Sequence, residues 1–115
     1  MKTREIMILG TPWTIKFHSR AMDDNLENAD GYTDSSAKLI VIDAMESFEP
    51  GMKLDLDAYR AQVLRHEIIH AFLFESGLEH NTHKTKGWAV DEEIVDWFSI
   101  QGPKILEAFK DAECI

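Results

Sequence analysis

From Asp57 to Ser76 the chain runs twenty residues without Gly or Pro, and its apolar residues recur at helical spacing. Tyr59, Val63, His66/Glu67 and His70 fall along one line, and Leu64, Ile68, Ala71 and Phe72 widen the stripe beside it. A segment of this length and pattern is a helix of about five turns. Asp55 or Asp57 suits its N-cap, and Gly77 stands where a cap glycine ends a helix. This helix divides the chain, because the residues before it follow a different period.

Upstream, the pattern is that of strands. Arg4 to Leu9 is apolar-rich, Gly10-Thr11-Pro12 is a turn signal, and Trp13 to His18 alternates. The alternation sets Trp13, Ile15 and Phe17 on one face and Lys16 and His18 on the other, so a hairpin is expected. Ser19 to Gly31 is polar, acidic and without periodicity, which predicts a loop. Gly31-Tyr32-Thr33-Asp34 and then Lys38 to Asp43 follow, the second run being the most β-branched of the chain and hence a well-buried strand. Glu49-Pro50-Gly51 closes the strand region.

Downstream, Glu79 to Gly87 is a polar loop, Trp88 to Ile100 a second helix stopped by Gly102-Pro103, and Lys104 towards Ala112 a third. The expected fold is α+β: three or four strands, mostly antiparallel, followed by three helices, with the first helix packed on the sheet. Trp13, Trp88, Trp97 and Phe98 are expected to pack in the core or between helices, and Phe72 and Phe74 behind the first helix.

With 115 residues, the chain suits a single domain spanning 1–115. Its hydrophobic fraction of 44% is enough to build a core, so disorder is not expected. No apolar run reaches the roughly 18–20 residues of a membrane span. The N-terminus leads into too few apolar residues for a signal peptide, and Cys114 is the one cysteine, which excludes an intramolecular disulfide framework. A cytoplasmic protein without a membrane partner is expected. The formal net charge is −9, concentrated between residues 21 and 57, and a chain of this sign repels a phosphate backbone, so no nucleic-acid partner is expected. Asp23-Asp24-Asn25-Leu26-Glu27 lacks the spacing of a calcium loop.

Within the long helix stands His66-Glu67-Ile68-Ile69-His70. Two histidines four apart lie one turn above each other, so both imidazoles can reach one metal ion, and the intervening Glu67 sits where it can act as a general base. With 5 His among 115 residues, a shuffled chain of this composition shows the pattern in roughly 2% of cases, and the helical context makes coincidence rarer still. Zinc needs a third protein ligand and, for catalysis, an open fourth position. The positions three and six residues after His70 hold Leu73 and Ser76, which excludes the metzincin arrangement. His80 and His83 are chemically able but lie in a loop. Glu92 and Asp96, four apart on the second helix, are the better pair, with Glu92 as ligand and Asp96 accepting a hydrogen bond from a ligating imidazole. Glu93 is the alternative ligand. For stabilising an oxyanion, His80, His83, Tyr32 and Arg65 all remain open. An edge position for the Leu39–Ile42 strand would let an extended substrate pair with it.

His66-Glu67-x-x-His70, followed after 21 residues by Glu92-x-x-x-Asp96 and then Phe98-Ser99, resembles the gluzincin pattern. More closely it is similar to the small ImmA/IrrE-like metallopeptidases common in phages and prophages. Gly31-Tyr32, Lys38 to Asp43 and the two motif helices carry that resemblance over roughly residues 31–102. It departs where an acidic-Ala-Asn/Asp run is usual and Ile94-Val95-Asp96 stands instead. The resemblance implies a minimal zincin-like fold, Zn2+ as cofactor, and hydrolysis of a specific intracellular protein such as a repressor, in the cytoplasm of a bacterial host. The competing reading is a non-catalytic zinc-containing regulatory or binding module, or an acidic phage-type inhibitor.

Overall fold

Leu9 and Gly10 both take positive φ, 50° and 84°, and form a two-residue loop that returns strand β1 (Arg4–Ile8) onto β2 (Thr11–His18). Positive φ at both central positions matches the twist of the flanking strands, and only glycine adopts it without strain. The turn thus lies one residue earlier than the Gly10-Thr11-Pro12 signal suggests, and Pro12 belongs to β2, opposite Met7. β2 meets its other neighbour only from Thr14 onward, so the missing N–H of Pro12 interrupts no ladder there. These are features of a computed structural model, which describes residues 2–46, 51–80 and 87–115.

Strand β3 (Gly31–Asp34) pairs antiparallel with β4 (Leu39–Asp43). Asp34 shapes their connection by accepting from the backbone N–H of Ser36 at 2.9 Å. The sheet order is β1-β2-β4-β3, and β4 runs parallel to β2. The sheet is therefore mixed: two of its three ladders are antiparallel, in keeping with a mostly antiparallel sheet, and the β2–β4 ladder is parallel. Local patterning identifies a strand but not its partner, and β4 inserts between β2 and β3 only because the chain crosses over through residues 19–31. The position suits its residues: Ile40, Val41 and Ile42 are all fully buried, as a central strand covered on both faces requires. The Leu39–Ile42 strand is thus interior, and β3 is the edge on its side of the sheet.

Helix α1 (Leu56–Glu75) packs on one sheet face, Val63 and Ala71 joining Ile8, Trp13, Ile15, Ile40, Ile42 and Met45 in the core. Asp55 is its cap, accepting from Ala58 N at 3.0 Å, and Gly77 leaves it at φ 79°. Glu75 ties the far end to the sheet by accepting from Trp13 Nε1 at 2.8 Å and pairing with Lys38 at 2.9 Å. Those partners, Lys38 foremost, hold its carboxyl below the ordinary carboxylate range.

Helix α2 runs unbroken from Glu92 to Asp111, through Gly102 and Pro103. This one helix replaces the second and third expected from the sequence, and Trp88–Val90 is a separate single turn before the Asp91 cap. Proline in a helix leaves the carbonyl four residues earlier without its donor. Here that carbonyl, of Ser99, accepts from Arg65 Nε at 2.6 Å. The donor comes from α1, so no local signal foretells it. Trp88, Trp97 and Phe98 are 54%, 53% and 44% exposed and lie outside the core; on α2 it is Val95 and Ser99 that turn inward, which leaves Trp97 and Phe98 outside. Trp97 and Phe98 instead meet edge to face, with centroids 5.2 Å apart.

The acidic segment before β3 forms two single turns, Arg20–Met22 and Asp24–Leu26. Arg20 organises it, its guanidinium pairing with Asp30 at 2.6 Å and Asp43 at 2.9 Å and donating to the Leu26 carbonyl. Leu26 is fully buried. Among the described residues, no helix is long and apolar enough to cross a membrane.

Candidate metal centre

Residues 59, 63, 66, 67 and 70 of α1 recur at helical spacing, so they form one wall of a cleft of about 470 Å³. The edge strand β3 forms the facing wall, and the start of α2 closes it with Glu92 and Asp96.

Three donor groups converge there. Nε2 of His66 and Nε2 of His70 are 3.2 Å apart. The carboxylate of Glu92 places one oxygen 3.1 Å from the first and the other 2.8 Å from the second. Ligand atoms 2.0–2.1 Å from a tetrahedral zinc stand about 3.3 Å from one another, so the spacing fits such an ion closely. The outer nitrogens decide the chemistry. His70 Nδ1 donates to the Ala89 carbonyl, and His66 Nδ1 to Asp96 Oδ1 at 2.7 Å. With a proton on each Nδ1, a neutral imidazole has only a lone pair at Nε2. For neutral imidazoles, two lone pairs and a carboxylate then face one another across about 3 Å, an arrangement that a cation among them stabilises. The donor set fits zinc, and the partners behind the imidazoles are of the kind that orient metal ligands.

Glu67 sits beside this group, its Oε2 3.8 Å from His66 Nε2. It is 6% exposed. Burial pushes its carboxyl above the ordinary carboxylate value, opposed by the Thr33 hydrogen bond and the two imidazoles. Thr33 Oγ1 lies 2.9 Å from Glu67 Oε1 and 3.1 Å from the Glu67 carbonyl. The cleft is apolar at one end, where Phe74 stacks on His70 at a centroid distance of 6.2 Å beside Val90. At the other end Tyr59 donates to Asp30, and this bond drives its phenol up to about 12.

The structure thus brings His66, Glu67, His70, Glu92 and Asp96 together. Glu93 is exposed in the first turn of α2 and does not line the cleft. Tyr32 lines it, but its hydroxyl donates to Asp23 at 2.7 Å, a bond that with the His18 contact holds the Asp23 carboxyl below its usual range. Arg65 is turned to Ser99. Phe74 faces the cleft, not the back of the helix, and Phe72 is 40% exposed. The His80 side chain and all of His83 lie outside the described residues. Sequence reasoning misses Thr33 and the Ala89 carbonyl. The first lies in an ordinary-looking strand, and a main-chain acceptor has no side-chain signature. No family model, no curated protein and no solved structure matches the chain.

Proposed function

We propose that the chain is a zinc-dependent metallopeptidase of minimal zincin-like fold, ImmA/IrrE-like in kind, which hydrolyses a specific protein in the cytoplasm. The observation that carries this reading is the convergence of the Nε2 atoms of His66 and His70 and the Glu92 carboxylate, with the buried Glu67 carboxylate beside them. His66, His70 and Glu92 hold the ion. Zinc at such a site supplies Lewis acidity, lowering the pKa of coordinated water towards about 7 and polarising a carbonyl. Glu67 takes the proton of the attacking water and returns it to the leaving amine. Asp96 and the Ala89 carbonyl keep the imidazoles in the tautomer that leaves Nε2 free. As the edge strand lining the cleft, β3 can accept an extended peptide as an added strand, a role that falls to it because Leu39–Ile42 lies inside the sheet.

The test uses metal analysis together with hydrolysis. Glu67→Gln should retain zinc and lose hydrolysis of a peptide the parent protein cleaves. His66→Ala should lose zinc. Equal zinc in His66→Ala and the parent, or unchanged hydrolysis in Glu67→Gln, overturns the proposal.

A further inference from the structure

The inner face of β3 carries an arrangement that the motif does not explain. Successive strand residues alternate, so Gly31 and Thr33 share one side, and that side meets α1. A Cβ added at Gly31 would come within 3.0 Å of Ile42 Cδ1 and 3.1 Å of both Val63 Cγ1 and the Val41 carbonyl, so a larger residue there would push the strand and its neighbours apart by a few tenths of an ångström. Two residues further along, Thr33 reaches Glu67. Two strand residues span about 6.7 Å and four helix residues about 6.0 Å, so Gly31–Thr33 stays in step with Val63–Glu67. The close approach at the first pair sets the hydrogen bond at the second.

We propose that Thr33 is a positioning residue for Glu67, and that Gly31 is the spacer that brings it within reach. This rests on the peptidase reading above and adds to it a residue whose hydroxyl acts on the base and not on metal or substrate. Glu67 has two carboxylate oxygens. Thr33 holds Oε1 at 2.9 Å, and Oε2 is the oxygen 3.8 Å from His66 Nε2. With Oε1 held, the carboxylate cannot rotate freely, and the same oxygen always faces the metal ligands. The hydroxyl also lies 3.1 Å from the main-chain carbonyl of Glu67, and its one proton is shared between that oxygen and the nearer Oε1. Because β3 is also the strand to which a peptide would add, the element that receives substrate holds the base directly.

Thr33→Val keeps the β-branched shape a strand favours and removes the hydroxyl, whereas Thr33→Ser keeps the hydroxyl. Two readouts separate the possibilities. The first is the 13C resonance of the Glu67 carboxyl carbon in zinc-loaded protein at one fixed pH, assigned by its loss in Glu67→Gln. It should move in Thr33→Val and stay near the parent position in Thr33→Ser. The second is cleavage of a quenched fluorescent peptide mixture. Thr33→Val should lower kcat about 10- to 100-fold with KM nearly constant, as loss of an outer-shell partner does, and Thr33→Ser should recover most of it. Gly31→Ala should reproduce the Thr33→Val resonance shift. An unmoved resonance in Thr33→Val with parental kcat, in a protein that Glu67→Gln inactivates, overturns the positioning role and leaves the peptidase reading intact. A parent that binds zinc but cleaves nothing in the mixture counts against both the peptidase reading and the catalytic side of this role. A resonance shift in Thr33→Val would then still establish the Thr33–Glu67 contact.

Discussion

Residues 19–31 and the second half of α2 are opposites in sequence and opposites, in the reverse sense, in structure. The first has no periodicity and an excess of acid, yet Arg20 ties it to Asp30, Asp43 and the Leu26 carbonyl, and Leu26 is fully buried. The second has clear helical periodicity, yet Leu106 and Phe109 are 47% and 46% exposed and the residues after Ile105 are all exposed. Periodicity reports which element a segment adopts. How firmly the segment is held depends on partners elsewhere in the chain, and one arginine can supply more of those than a whole helical face.

The sharpest way to break this comparison is Leu26→Ala. Removing a fully buried leucine should cost about 3 kcal/mol in denaturant unfolding, and a cost near zero would show that the segment is not docked. Arg20→Ala should cost about 2 kcal/mol, because it leaves the Asp30 and Asp43 carboxylates without their shared cation, partial exposure moderating the loss. Tyr59 offers a probe of the same tie. Its hydrogen bond to Asp30 raises the phenol to about 12, above the roughly 10 of a free tyrosine. The folded value exceeds the unfolded one, so the stabilisation is complete below about pH 10 and is lost as pH rises through about 12. Absorbance titration of the parent against Tyr59→Phe should show that high transition, and Arg20→Ala should displace it.

On the α2 side, Arg65→Ala should cost about 1 kcal/mol by stranding the Ser99 carbonyl. Adding Pro103→Ala should recover most of this, since alanine brings the N–H that proline lacks. Additive effects would disconnect Arg65 from the proline. Smallest of all, Phe109→Gln should change stability by no more than about 0.5 kcal/mol, as exposed substitutions do.

Much of the fold can be read locally. Alternation marks β1 and β2, β-branching marks β4, and the Gly- and Pro-free stretch marks α1, each within a residue or two at most boundaries. Distant partners are not readable in this way. The parallel β2–β4 pairing depends on a crossover, and the continuity of α2 depends on Arg65, 34 residues before Ser99. At the candidate site, the spacing of His66, Glu67 and His70 suffices to place three side chains on one helix face. Glu92 and Asp96 follow from their i, i+4 relation. Thr33 is legible only through packing, because a threonine in a strand is ordinary until a glycine two residues earlier lets the strand approach a helix.

The parallel register between β2 and β4 also bears on how the chain folds. Thr14 faces Leu39 across 25 positions of sequence, so this ladder cannot start as a hairpin does. It must wait until the acidic segment and β3 have swung across, and the entropy of closing that loop comes before any ladder bond forms. Arg20 spans that excursion, bonding both Asp30 at its end and Asp43 on the incoming strand. Its removal should therefore slow refolding more than it speeds unfolding. A chevron in which only the unfolding limb moves would exclude Arg20 from the nucleus.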